Sequence, residues 1–305
     1  MKALDLPRGS QLQESIDVRI LDVATLAAGP INEDRAGAAG DLAWVIDGAT
    51  DVVDAPLTSY PTDASWIAET LDTQLRDLAT VAATDLALLP ATLAPRLETA
   101  FQRVAKRQPI GRQEHPSASG LIVRAKDTRL EYVVVGDCSL VLRTTNGAKR
   151  VGVDDSDAGD VWVAKAVRGI QGQYSDAMPD QVRERLWPQL RIARSAMNES
   201  DGYGVFSLTR PPAKFVKSGS EAVLAGTMVL LATDGLMRLV DVFRRYTVET
   251  LLEAASRRGL SSLLMEVRSL ESADDYCREF PRAKCHDDAT GLLVEMPQTA
   301  PRSGL

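Results

Sequence analysis

Leu42-Ala-Trp-Val-Ile-Asp47-Gly48 is the stretch from which the rest of the chain is read. A short apolar run delivers a carboxylate and a glycine to the point where the chain must turn. Such a run, bounded by a turn signal, reads as a strand buried on both faces of its sheet. The same grammar returns in Tyr132-Val-Val-Val-Gly136-Asp137 and in Met228-Val-Leu-Leu-Ala-Thr-Asp234-Gly235. Asp287 and Asp288 lie just before a fourth apolar run, Gly291-Leu-Leu-Val-Glu-Met296. Four strand-like segments with aspartate at one end point to one shared anionic pocket. Hard oxygen donors of this kind suit Mg²⁺ or Mn²⁺.

The composition bounds this reading. A chain of 305 residues, 45% hydrophobic and 25% charged, can bury a substantial core, and with 5% aromatic residues that core is aliphatic. A net charge of -7 argues against a nucleic-acid backbone as the main partner, because such affinity rests on clustered Lys and Arg. Cys138, Cys277 and Cys285 show no Cys-x-x-Cys spacing, and two histidines are too few for a nitrogen- and sulfur-based zinc site. Reduced thiols of a cytoplasmic protein are expected, with pairing of Cys277 and Cys285 left open. No run approaches the ~20 apolar residues that cross a bilayer, so no membrane partner is expected.

In chain order, Met1 to Gln13 reads as a loose arm and Asp17 to Leu26 as the first strand. The turn-forming stretch Ala27 to Arg35 carries Asn32-Glu33-Asp34, and a hairpin to the next strand would bring these acids beside Asp47. Ile67, Leu71, Leu75 and Leu78, then Leu93, Leu97, Phe101 and Val104, recur at helical spacing and predict two helices packed on a sheet. From Ser119 to Thr145 the period changes to two, with polar turns at Lys126-Asp127, Gly136-Asp137 and Asn146-Gly147. That is an antiparallel meander, which argues against a parallel Rossmann-like sheet. Asp154 to Ser175 reads as an irregular loop or flap, Val182 to Met197 as a helix divided at Pro188, and Asp201 to Leu208 as a turn and strand. Helices follow at Val248 to Arg258 and Leu260 to Leu270. The tail from 297 to 305 reads as disordered, leaving 14–296 as one domain.

Asn32-Glu33-Asp34, Asp47-Gly48, Gly136-Asp137-Cys138-Ser139, Thr233-Asp234-Gly235-Leu236 and Asp287-Asp288-Ala289-Thr290 occur in the order of the signature segments of the type 2C (PPM) metal-dependent protein phosphatases. Pro116-Ser-Ala-Ser-Gly120 resembles that family's small-residue segment. The resemblance runs from about residue 17 to 296. It implies an α+β fold, a four-layer αββα sandwich of two antiparallel sheets flanked by helices. It also implies hydrolysis of phosphoserine or phosphothreonine in a phosphorylated protein, by a metal-activated water and without a covalent intermediate. Two Mn²⁺ or Mg²⁺ ions about 3.5–4 Å apart can lower the pKa of a shared water. By position, Asp47 would bridge both ions, the Gly48 carbonyl would bind one, and Asp234 and Asp287 would complete the set. Glu33 and Asp34 would hold metal-bound waters in an outer shell, and Asp137 would serve a third, weaker ion.

Four departures matter. Gly29 stands where many relatives carry a phosphate-binding arginine, with Arg35 as a substitute or an ordinary surface charge. Ala49-Thr50 follows Asp47-Gly48 without the histidine that eukaryotic members use as proton donor. Arg238 replaces an aspartate of the third-metal site. Residues 154 to 207 match poorly, and there Arg168, with Arg210 just beyond, contacts a phosphoprotein or is merely surface charge. His286, beside Asp287, reads as a turn residue or a proton donor. The alternatives are a catalytically inactive, phosphoprotein-binding relative and a same-fold hydrolase of small phosphate esters.

Overall fold

Eleven strands and seven helices are found among the residues that the computed structural model describes, 17–80, 85–126, 128–145, 147–152 and 158–296. The expected N-terminal arm and the tail after Met296 lie outside them. The central strand is β3 (Leu42–Gly48). It pairs with β2 (Asp34–Ala39) on one side and β4 (Ser117–Lys126) on the other, and β5 (Arg129–Val135) and β9 (Val216–Ala222) extend the sheet in the order β2-β3-β4-β5-β9. The two-residue β8 (Phe206–Ser207) adds to β4. A second sheet runs β1-β11-β10-β6-β7, made from Arg19–Leu26, Ala289–Glu295, Met228–Ala232, Ser139–Thr144 and Gly147–Val151. Every pairing of named strands is antiparallel.

Alternation along the strands builds the layers. In β3, Ala43 and Val45 join Leu121, Val123, Leu140, Leu231, Leu292 and Val294 in the core between the sheets. The intervening Leu42, Trp44 and Ile46 face the other way, onto α1 (Asp63–Ala79) and α2 (Leu89–Val104). The second sheet does the same, turning Val141, Leu230, Ala232 and Leu293 onto α5 (Asp234–Asp241), α6 (Val248–Arg258) and α7 (Leu260–Ala273). Continuous apolar runs are what strands buried on both faces require. The αββα sandwich is therefore present.

Three expectations need correction. The meander does not stay in one sheet. At Gly136-Asp137 the chain crosses from β5 in the first sheet to β6 in the second, and β5 takes β9 as its partner instead. Gly136 has φ +90, and a Cβ there would lie 2.2 Å from Ser119 Oγ, so the crossing needs glycine. Residues 158–173, expected as loop, form α3 (Ala158–Gln173), and α4 (Pro179–Ser195) continues through Pro188. Val163, Ala166, Val167 and Ile170 pack against Val182, Leu186 and Leu190 of α4, a helical spacing hidden by the Asp- and Gly-rich flanks.

Candidate active site

Asp34 and Asp47 sit directly opposite each other across β2 and β3. In β3, Asp47 shares the parity of Ala43 and Val45, so it faces the space between the sheets. Asp34 follows Ala36 and Ala38 on the same face. From the second sheet, Asp234 opens α5 directly after β10, and Asp287 precedes β11. Asp234 is within hydrogen-bonding contact of Asp47, and its carboxylate feels that of Asp287. Four carboxylates from four segments thus gather where the two sheets end together.

Threonines tie the two sheets at this end. Thr233, fully buried, donates its hydroxyl to Asp34 Oδ2 at 2.9 Å and accepts the backbone N–H of Thr290 at 2.9 Å. Asp288 holds the β1–β2 loop by accepting the N–H groups of Ala28 and Glu33, both at 2.6 Å. Glu33 Oε2 accepts the Thr50 hydroxyl at 3.0 Å, which places it beside the strand end that bears Asp47. Gly48 is closely packed: a Cβ would lie 2.7 Å from the carbonyl oxygens of both Glu33 and Ala64. Asp137 adds its charge to the field at Asp47 from the sheet crossing.

The electrostatics divide the cluster in two. Burial first, and then the Asp288 and Asp234 charges, push Asp34 well above the ordinary carboxylate range against the hydrogen bonds of Thr290 and Thr233. Burial also raises Asp47, with Asp34 and Asp234 adding repulsion, and burial and Asp287 raise Asp234. Asp287 behaves oppositely. Burial opposes its ionisation, but Lys284 and Arg238 outweigh that and hold its carboxyl below the usual range. Lys284 Nζ lies 2.8 Å from Asp287 Oδ1, and Arg238 Nη2 lies 2.7 Å from Oδ2. Arg238 is itself fixed by the fully buried Glu271 at 2.5 Å, which Arg268 also contacts at 2.6 Å.

These observations test whether a divalent cation fits. On the Asp34–Asp47 side it does: Asp34 is 2% exposed, and its Oδ1 has no hydrogen-bond partner in the protein. On the Asp287 side it does not, because both carboxylate oxygens are committed to protein cations. Among the described residues, no three acidic, histidine or cysteine side chains stand as a ready-made ligand set.

The remaining singled-out residues lie elsewhere. Arg35 is on the opposite face of β2, donating to the carbonyls of Asn32 at 2.9 Å and Asp34 at 2.7 Å and approaching Glu69 of α1 at 3.7 Å. It is not directed at the carboxylates. Arg168 and Arg210 are exposed. His286 meets Ser272 of α7 at 3.3 Å. Cys277 and Cys285 are free, with their sulfurs 2.8 Å apart. Sequence reasoning missed Lys284, whose i,i+3 spacing to Asp287 was a usable signal. It also missed Arg194, which leaves α4 to donate to the Thr50 carbonyl at 2.5 Å and to Ser117 Oγ at 2.7 Å, clamping the loop after Gly48.

No protein-family model matches this chain, and no curated protein matches it by sequence. Solved structures do match. The Mycobacterium tuberculosis serine/threonine phosphatase PstP/Ppp aligns over 92% of this chain and 100% of its own, at 16% identity and a TM-score of 0.54. Staphylococcus aureus serine/threonine phosphatase Stp1 aligns over 98% and 100%, at 12% identity and a TM-score of 0.51. The PstP catalytic domain in complex with two manganese ions aligns over 92% and 99%, at 15% identity and a TM-score of 0.50. The chain has the fold of the bacterial PPM-type serine/threonine phosphatases. No helix among its described residues is long and apolar enough to cross a membrane.

Proposed function

We propose that this chain is a metal-dependent phosphatase of the PPM family, acting on phosphoserine or phosphothreonine in proteins. The observation that carries the reading is the gathering of Asp34, Asp47, Asp234 and Asp287 at the joint end of the two sheets. The phosphatase fold of the similar structures supports it, as does the manganese in the PstP complex. Asp47, Asp34, Asp234 and the Gly48 carbonyl would hold Mn²⁺ or Mg²⁺. Such an ion, when bound, supplies Lewis acidity toward the attacking water and the phosphoryl oxygens.

The chain's own residues do the positioning. Thr233 fixes Asp34 through one oxygen and leaves Oδ1, buried and without a protein partner, to meet an ion. Thr50 steadies Glu33, which then orients water beside Asp47. Arg194 and Asp288 hold the two loops that carry these groups, so that the carboxylates keep their spacing as substrate enters. Ala49 and Thr50 offer no imidazole to the departing alkoxide, so solvent protonates it. Arg35 is turned away, so the phosphate is held without it.

The direct test is hydrolysis of p-nitrophenyl phosphate with and without Mn²⁺. Activity that needs the metal and vanishes in Asp47→Asn supports the reading, whereas activity persisting in excess chelator overturns it. One observation favours a second reading, a phosphoprotein-binding relative without catalysis: Asp287 is already neutralised by Lys284 and Arg238. That protein would retain a phosphorylated peptide in Mn²⁺ without releasing phosphate.

A further inference from the structure

The loop that carries Lys284 is built, not merely exposed chain. Arg282, 7% exposed, donates to the carbonyls of Cys285 at 3.0 Å, Phe280 at 2.8 Å, Glu271 at 3.1 Å and Asp274 at 2.8 Å. It also pairs with the Asp274 carboxylate at 2.7 Å. With residue 282 pinned, Lys284 leaves the loop toward the carboxylates and meets Asp287 at 2.8 Å, its side chain 30% exposed. Arg238 cannot swing away to release Asp287, because Glu271 holds its other nitrogen in a side chain with no exposure. The two oxygens of Asp287 therefore face an ammonium and a guanidinium that the fold itself supplies.

Charge bookkeeping agrees. Around Asp287 itself two carboxylates, Asp287 and Glu271, meet three cations, Lys284, Arg238 and Arg268. Asp34, Asp47 and Asp234 lie on the other side, where Asp137 and Asp288 add further negative charge. A divalent cation is favoured there, whereas one beside Asp287 would add to an existing excess of positive charge.

We propose that Lys284, backed by Arg238, is a resident cation that fills the Asp287 side of the cluster, so that this chain takes one divalent ion where the family resemblance implies two. This rests on the phosphatase reading only for the identity of the ion. The lysine acts as a positioning residue for the carboxylates and sets the metal count.

The test is Mn²⁺ binding to the full chain, followed by titration calorimetry and by electron paramagnetic resonance of free and bound Mn²⁺. The wild type takes up one ion. Lys284→Met and Lys284→Gln take up one ion more, with a spectrum broadened by the neighbouring ion, while Lys284→Arg stays at one. Circular dichroism and melting curves identify any variant that has not folded, and the wild-type count decides alone if both neutral variants fail. A wild type that binds two ions or none, or neutral variants with an unchanged count, overturn the proposal. Two ions with phosphopeptide turnover would leave the phosphatase reading standing without this inference. One ion rising to two, with no turnover, would leave the inference standing without that reading.

Discussion

Asp51 offers the sharpest quantitative test of how the site loop is held. It lies four residues beyond Asp47, in the segment that Arg194 clamps, and its Oδ2 accepts the N–H of Asp63 at 2.7 Å. Asp63 in turn, 1% exposed, accepts the N–H groups of Leu57 and Thr58 at 2.7 and 2.8 Å, so the loop is anchored to the start of α1. Burial raises the Asp51 carboxyl from 3.8 to about 6, and the Asp63 and Glu33 charges add to it against the Asp63 hydrogen bond and Arg194. A carboxyl whose pKa is higher folded than unfolded binds more protons in the native state, so stability is full below about pH 4 and falls as pH rises through about 6. At ~1.4 kcal/mol per unit, the loss is at most about 3 kcal/mol by pH 7, and partial solvent access reduces it to about 1–2 kcal/mol. Asp51→Asn keeps an oxygen for the Asp63 N–H and removes the charge. It is expected to stabilise the metal-free protein by that amount at pH 7, raising Tm by roughly 2–4 °C per kcal/mol, and to change nothing at pH 4. Urea denaturation at both pH values is the assay. An equal effect at pH 4 and pH 7, or destabilisation at pH 7, would refute the reasoning.

Three further outcomes follow from the same network. Glu271→Ala leaves Arg238 and Arg268 without their shared buried carboxylate and is expected to cost about 3–5 kcal/mol in denaturant unfolding, far more than removing an exposed partner such as Glu249. Asp34, Asp47 and Asp234 all have raised folded-state pKa values, so the metal-free protein loses stability as pH rises above the ordinary carboxylate range. Mn²⁺ at 100 times its Kd is expected to restore about 2.7 kcal/mol near neutral pH, read as a Tm shift that excess chelator reverses.

Much of the fold was legible because it is written in short-range pattern. The apolar runs ending at Asp47, Asp234 and Met296 are the interior strands of the two sheets, and the 3.6-residue spacing of Leu71, Leu75, Leu93 and Leu97 marks the helices over the first sheet. What stayed hidden depends on contacts distant in sequence. Whether Gly136-Asp137 closes a hairpin or carries the chain to the other sheet is decided by β9, which begins only at Val216. As an edge strand paired only with β5, β9 needs no apolar run, and Val-Lys-Ser-Gly-Ser-Glu-Ala announces nothing.

The same division runs through the site. Asp34 opposite Asp47 could be expected from a hairpin. The partition of charge could not, because it requires knowing that Arg282 pins a loop so that Lys284 reaches Asp287, and that a buried Glu271 fixes Arg238. Arg238 was visible as a departure from the family pattern, but its consequence lay in a partner 33 residues away.

The most direct measurement of the central claim is anomalous scattering from crystals grown or soaked in Mn²⁺. The account predicts a manganese peak within coordination distance of Asp47, on the side of Asp34 and Gly48. Crystals that bind manganese only elsewhere, or show no peak at Asp47 in saturating metal, would contradict it.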